Sequence, residues 1–293
     1  MDEGDRLAER FEEHRARLKA VAYRMLGSLA DADEAVQDAW LRVNRAGSDG
    51  VENFGGWLTT IVARVCLNVL QTRKTRGENS VDRHMPDPII TRDGRLDPEH
   101  EVLLADSVGL ALQIVLDTLP PAERLAFVLH DMFDVPFDEI GGLVGRTPTA
   151  ARQLASRGRR RVQGASVPTP DTDIARQRQL VDAFFEAARG GDFDALMALL
   201  DPDVVLRSDG GTQRPAATFV RRGAEEVARS ARAVPFSILR PALVNGAAGV
   251  IVMTNGEPFA VMGFIVARGR IVEIDVMFDP DRLSQLNLAM LDD

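Results

Sequence analysis

A chain of 293 residues with 45% hydrophobic content is long enough to bury two or three separate cores. Its net charge of -9 argues against non-specific coating of nucleic acid, and its single cysteine, Cys66, excludes an internal disulfide. No apolar run approaches the ~20 residues of a membrane-spanning helix, and the acidic, polar opening is unlike a secretory leader, so the cytoplasm is the expected compartment.

From Asp5 to Arg76 the pattern is helical. Phe11, Leu18, Val21, Ala22, Met25 and Leu26 recur at three- and four-residue spacing until Gly27 and Ser28 break the helix. Asp31 is the expected cap of a second helix with the stripe Ala35, Val36, Ala39, Trp40 and Val43. A loop over 46–56 precedes a third helix, Trp57 to about Arg73, with Leu58, Ile61, Val62, Val65, Leu67 and Val69 inward. Between Thr75 and Glu101 periodicity vanishes among prolines and mixed charges, which reads as a flexible linker.

A second helical block spans 102–163, followed by a short linker carrying Pro168 and Pro170. The composition then changes to two helices (174–189 and 193–200) and β-type runs at 204–208, 236–244, 249–254, 259–267 and 270–278, with one helix near 224–233. Helices followed by a four- to five-strand meander predict an α+β domain.

Two stretches contain no Asp or Glu, Asn53–Gly77 and Ile140–Pro170, and both end in cations. Arg73, Lys74 and Arg76 close the first; Arg157, Arg159, Arg160 and Arg161 close the second. In an acidic chain the local sign outweighs the total, so two basic helical segments joined by a linker predict a protein that grips DNA at two places.

The second stretch lies in a helix-turn-helix pattern, FDEIGGLVGRTPTAARQLASRGRRRV. Ile140, Leu143 and Val144 pack the first helix, Gly145 makes the turn, Thr147 caps the second helix and Pro148 occupies its first turn. Ala150, Ala151, Leu154 and Val162 are the expected buried stripe. Thr149, Arg152, Gln153, Ser156 and Arg160 lie opposite, with no acid in the segment to balance its six arginines. Arg152, Gln153 and Ser156 are expected to read bases, and Arg157, Arg159 and Arg160 to sit nearer the DNA backbone. The other basic helix exposes Thr60, Arg64, Asn68, Gln71, Arg73 and Lys74, and Asn53 and Phe54 before it suit an unstacked base.

The order of these segments resembles an extracytoplasmic-function (ECF) sigma factor of bacterial RNA polymerase. AYRMLGSLADADEAVQDAWLRV looks like sigma region 2.1–2.2, FGGWLTTIVARVCLNVLQTRK like regions 2.3–2.4, and LPPAERLAFVLHDMFDVPFDEIGGLVGRTPTAARQLASRGRRRV like region 4. The resemblance implies that Asp33, Glu34, Gln37 and Asp38 dock on the polymerase clamp. By the same likeness Asn53 and Phe54 capture a flipped −10 base, and Arg64, Asn68, Arg73 and Lys74 hold the −10 strands. Thr149, Arg152, Gln153, Ser156, Arg157 and Arg160 read the −35 element. The implied partners are core polymerase (clamp and flap) and promoter DNA, with no membrane.

Residues 174–293 resemble a SnoaL-like (NTF2-like) cone, a fusion found in the actinobacterial SigJ type of ECF factor. SDGGTQRPA is similar to that group's DGGGK-type motif, DPDRL to its NPDKL-type motif, and HMPDP loosely to its WLPEP-type linker motif. His84, Pro86 and Asp87 of the linker, Asp209, Gly210 and Gly211, and Asp279 and Asp281 are thereby implied as a regulatory contact. The lysine of the first motif is absent; Gln213 and Arg214 stand nearby.

The expected fold is multidomain. Two all-α domains, a sigma-2 helical bundle (5–76) and a sigma-4 helix-turn-helix (102–164), flank a linker (77–101) and precede an α+β NTF2-like cone (174–293). Asp209 is the one candidate base in the cone, but Asp-Gly-Gly is also an ordinary turn, and all four histidines lie before the cone. The expected protein is therefore not an enzyme, and one cysteine with scattered histidines predicts no metal or other cofactor. A small ligand in the cone is a further expected partner. Two alternatives remain: a one-component regulator whose cone senses a ligand, and a DNA-tethered SnoaL-like hydrolase or isomerase.

Overall fold

The computed structural model describes residues 3–48, 50–75, 85–91, 110–165, 169–231 and 238–286. They fall into two units, one of helices α1–α7 and one containing segment 85–91 together with the chain from 169 onward.

In the first unit α1 (Glu3–Leu26), α2 (Leu29–Ala46) and α3 (Phe54–Thr75) pack around Phe11, Leu18, Val21, Met25, Val36, Val43, Leu58, Val62 and Cys66, all buried. Gly27 turns the chain at φ +76°, a conformation that costs little only for glycine. Ser28, not Asp31, caps α2: its hydroxyl accepts from the Asp31 N–H at 3.3 Å. Asp31 instead lies in the first turn, where its carboxylate pairs with Arg73 of α3 at 2.6 Å. Helix α3 starts at Phe54 rather than Trp57, because Asn53 Oδ1 accepts from the Gly56 N–H at 3.0 Å. Burial pushes the Cys66 thiol up to about 12, so it behaves as a small buried hydrophobe.

Helices α4 (Leu110–Thr118) and α5 (Pro121–Phe127), the latter running on into a π-helical turn at Val128–Met132, lead to α6 (Phe137–Val144) and α7 (Pro148–Gly164). Gly145 is left-handed (φ +65°) and the Thr147 hydroxyl accepts from the Ala150 N–H at 3.2 Å, as the helix-turn-helix pattern requires. The buried stripe of α7 differs from the expected one. It is Ala151, Ala155 and Gly158, while Ala150, Leu154 and Val162 are half-buried at its margin. A Cβ on Gly158 would lie 2.9 Å from Phe127 Cβ and 3.2 Å from the Glu123 carbonyl, so α5 and α7 touch there. Gly158→Val is therefore expected to destabilise the helical unit by about 1–3 kcal/mol through overpacking, measured by denaturant unfolding followed by far-UV circular dichroism. An unchanged midpoint would mean that α5 moves away without cost.

The two helical blocks, read from sequence as separate domains, share this unit. Gln113 Nε2 on α4 donates to the carbonyls of Tyr23 (3.3 Å) and Arg24 (3.2 Å), and Arg17 Nη2 on α1 donates to the Phe133 carbonyl at 2.9 Å.

The second unit is a seven-stranded sheet in the order β1-β4-β5-β6-β7-β2-β3. Its strands are β1 (Ile90–Thr91), β2 (Leu200–Asp209), β3 (Phe219–Arg222), β4 (Ile238–Val244), β5 (Ala247–Thr254), β6 (Glu257–Ala267) and β7 (Arg270–Met277). All neighbours are antiparallel except β2 and β7. Helices α8 (Ile174–Gly190), α9 (Phe193–Leu199) and α10 (Ala224–Ala231) cover one face, where Phe184, Phe185 and Phe264 meet edge to face at 5.5–5.8 Å. Short helix α11 (Pro280–Gln285) and Ile90 close a second, smaller core with Val244, Ile251, Val261, Met277 and Leu283. This is the helix-and-curved-sheet architecture expected of an NTF2-like cone, with two strands more than the sequence indicates. Strand β3 is four residues with an apolar start and two arginines, and β1 comes from the stretch read as linker.

Across the parallel pair, Arg207 faces both Glu273 and Asp275 (3.4 Å). Burial and then the neighbouring Glu273 hold the Asp275 carboxyl well above its usual range. A raised folded value means that stability is fully present below the unfolded value of 3.8 and is lost as pH rises through the folded one. The thermal unfolding midpoint of the cone should thus fall as pH rises above 3.8, and Asp275→Asn should flatten that slope. An identical slope in the variant would assign the titration elsewhere.

Candidate nucleic-acid interface and linker clamp

On α7 the three- and four-residue spacing that turns Ala151, Ala155 and Gly158 inward turns Thr149, Gln153 and Arg160 outward, all exposed, with Ser156 half-buried between them. The flanks are occupied. Arg152 stacks its guanidinium 5.1 Å from the Phe137 ring centroid, and Arg159 Nε donates to Asp131 at 2.7 Å. On the other flank Arg161 and Arg157 approach the buried carboxylate of Glu123 at 3.3 and 4.0 Å. The expectation that these arginines have no balancing acid is therefore corrected. The acids lie on α5 and the π-turn, outside the acid-free stretch but folded against it. Arg157, with 56% of its side chain exposed, keeps enough freedom to reach a phosphate.

The other basic face changes more. Phe54 is 5% exposed and is enclosed by Arg10 (4.0 Å from its centroid), His14 (5.9 Å) and Trp57 (5.8 Å). It is a packing ring and offers no free face to a base, contrary to expectation. Asn53 spends its oxygen on the α3 cap but keeps its amide nitrogen at an exposed position. Arg73, expected on the DNA strands, is half-buried in its pair with Asp31, whereas Arg64, Asn68 and Lys74 are exposed. Trp57, which sequence reading placed only as a helix start, lines a cleft of about 690 Å³ with Asn53, Thr60, Arg64 and, from α6, Glu139 and Leu143. Its position four residues after Asn53 was the available signal. On α2, Asp33, Glu34, Gln37 and Asp38 are all exposed; Asp33 pairs with Lys19 (2.8 Å) and Asp38 with Arg42 (3.1 Å).

In the second unit two distant segments, 85–87 and the end of β2, converge on Arg282 of α11. Its Nε donates to Asp87 (2.7 Å), Nη1 to Asp209 (2.7 Å) and Nη2 to the Met85 carbonyl. Asp209, 1% exposed, also accepts from the Met85 N–H (2.8 Å) and the Gly211 N–H (2.9 Å), so both carboxylate oxygens are engaged, Oδ2 by two donors and Oδ1 by one. Asn245 exchanges two hydrogen bonds with Ile89 (2.9 and 2.7 Å), and β1 continues the grip by pairing with β4. Pro86 is buried in the same segment; His84 lies outside the described residues.

Asp279 caps α11 by accepting from the Asp281 N–H at 3.0 Å, and a Cβ on Gly211 (φ +61°) would sit 2.0 Å from its carboxylate. A Cβ on Gly210 would meet the Arg214 carbonyl at 2.1 Å, so both glycines are required by close approach. Gln213 donates to Asp281 at 2.7 Å, and Arg214 donates to the Phe278 carbonyl at 3.2 Å. Arg282 falls within DPDRL, yet the sequence reading gives it no role; a cation within a motif that also carries the helix-capping Asp279 is the signal that could have found it.

Behind Asp209, on the other face of the sheet, a cavity of about 240 Å³ is lined by Leu206, Ser208, Phe219, Ser230, Met262 and Phe278, among others. No charged residue lines it among the described residues, and Asp209 does not reach it. The described residues also contain no group of three or more His, Cys, Asp or Glu placed to hold a metal, and no helix long and apolar enough to cross a membrane.

Residues 10–76 match the Sigma-70 region 2 family model and residues 110–162 the Sigma-70, region 4 model. Over 274 residues the chain is 36% identical to the ECF RNA polymerase sigma factor SigJ of Mycobacterium tuberculosis, covering 91% of this chain and 86% of that protein. It is 31% identical over 300 residues to the probable ECF RNA polymerase sigma factor SigI of the same species, covering 99% of both. The crystal structure of the Mycobacterium tuberculosis extracytoplasmic function sigma factor SigJ superposes with a TM-score of 0.75 at 33% identity, covering 96% of this chain and 99% of that one.

Proposed function

The chain belongs to the extracytoplasmic-function sigma factors of RNA polymerase, and from that premise we propose that its cone sets promoter use by gripping the segment between the two DNA-reading regions. In this reading the α2 acids dock on core polymerase, Asn53, Trp57, Arg64, Asn68 and Lys74 serve the −10 element, and α7 reads the −35 element. The protein works in the cytoplasm, where polymerase and promoter are. The observation that carries the proposal is Arg282, whose single guanidinium ties the strand end at Asp209 to Met85 and Asp87 of the linker.

Catalysis has little support in the cone. A general base needs a lone pair facing its substrate, and Asp209 directs its oxygens at Arg282 and two backbone amides, away from the cavity. A small ligand in that cavity is part of the proposal as a modulator of the grip, not as a substrate.

Run-off transcription with core polymerase on a genomic fragment library tests the reading and yields the promoter motif. Full-length protein should direct discrete transcripts, and pull-down should recover core polymerase; recovery of DNA without polymerase would favour a one-component regulator. A chain ending at Val167 should still bind core but change its output, because Ile89 and Ile90, buried on the cone, lose their cover. Equal output from the two would remove the cone from regulation.

A further inference from the structure

The cavity in the cone has a chemical character narrow enough to name its occupant. Its volume is about 240 Å³, and an apolar cavity of about 150 Å³ already accommodates benzene. Its walls are aromatic and aliphatic apart from the hydroxyls of Ser208 and Ser230. Both hydroxyl protons are spent on backbone: Ser208 donates to the Ala217 carbonyl and Ser230 to the Glu226 carbonyl (2.9 Å). Each serine can therefore only accept a hydrogen bond from a guest. A carboxylate, phosphate or ammonium would be desolvated there with no opposite charge among the described lining residues.

Two wall residues are also structural neighbours of the linker clamp. Ser208 precedes Asp209 on β2, and Phe278 precedes Asp279, the cap of the helix that carries Arg282. The Phe278 N–H donates to the Asp209 carbonyl at 2.7 Å, so the ends of β2 and β7 that border the cavity are bonded together next to the clamp. Anything that presses on the Phe278 ring acts one residue from Asp279 and one hydrogen bond from Asp209.

We infer that the cone binds an uncharged, one- or two-ring apolar molecule carrying at most a hydroxyl or N–H donor, and that its occupancy shifts the hold of Asp209 and Arg282 on the linker. The inference rests on the cone being the regulator of the linker and adds the class of signal it takes. Polar selectivity comes from the acceptor-only serines, and size selectivity from the limited volume between walls that include Phe219 and Phe278.

Equilibrium dialysis of full-length protein with 1-naphthol and with 1-naphthoate tests the ligand class. Saturable binding of about one naphthol per chain is expected, with the anion at least about tenfold weaker. Ser230→Phe and Ala217→Phe fill the cavity from different wall elements, and whichever keeps the native circular dichroism spectrum should lose at least about tenfold in naphthol affinity. Hydrogen exchange of the Met85 and Ile89 amides, read with and without naphthol, tests the coupling; a change of about threefold or more is expected. Absent saturation, or equal binding of the anion, overturns the ligand class. Saturable binding with unchanged exchange overturns the coupling. Either failure leaves the regulatory reading standing if Arg282→Ala still alters transcription, and that reading fails separately if it does not.

Discussion

Arg282→Ala should release the linker from the cone and change promoter output as strongly as removal of the whole domain. The side chain is 17% exposed and faces two carboxylates that are 1% and 9% exposed, at Asp209 and Asp87. Removing one partner of a buried ion pair strands the other, at a cost of about 3–5 kcal/mol. At 1.4 kcal/mol per decade, even the lower figure raises the released population about a hundredfold. Amide exchange at Met85 and Ile89 should accelerate accordingly, while core polymerase binding, which this reading assigns to α2, persists. Arg282→Lys keeps the charge but not the fork that spans Asp87, Asp209 and the Met85 carbonyl, so an intermediate effect is expected. Unchanged exchange in the alanine variant would mean that β1 pairing alone holds the segment.

The second large effect is expected at Gln153. Placed outward on α7 between Thr149 and Arg160, its amide can donate and accept on one base edge, and Gln153→Ala should lose about 1–3 kcal/mol of discrimination at a single −35 position. Arg160→Ala should weaken all sequences alike and lower the salt slope by about one. Arg152→Ala is expected to act mainly on the packing of α6 against α7, since its guanidinium lies on the Phe137 ring. Binding titrations of operator-length duplexes carrying each −35 substitution, at two salt concentrations, separate the three. Single-position relaxation by Arg152→Ala, with Gln153→Ala uniform, would show that Arg152 leaves Phe137 on binding.

Much of this protein was legible along the chain, for a local reason. Helices α1, α2, α3 and α7 announce themselves through spacings of three and four, and the turn at Gly145–Pro148 through residues whose backbone preferences act within a few positions. The apolar runs of β5, β6 and β7, buried on both faces, are equally local signals. Motif likeness also marked Asp87, Asp209 and Asp279 before any contact between them was visible.

What only the tertiary structure decided is pairing across long separations. Asp131 and Glu123 lie outside the acid-free stretch, yet they engage Arg159 and Arg161 because the π-turn and α5 pack against α7. Phe54 looked like a base platform because aromaticity is a property of the residue, whereas its exposure depends on Arg10, His14 and Trp57. The linker carried no periodicity, since β1 is two residues long and has no structure apart from the edge of β4. Arg282 and Asp87 are 195 positions apart, and no local preference reports a bond of that span. Sequence alone determined which elements form and which residue types they carry, because those depend on nearest neighbours along the chain. Which charges are free and which segment is held was left to packing, because burial and ion pairing depend on neighbours in space.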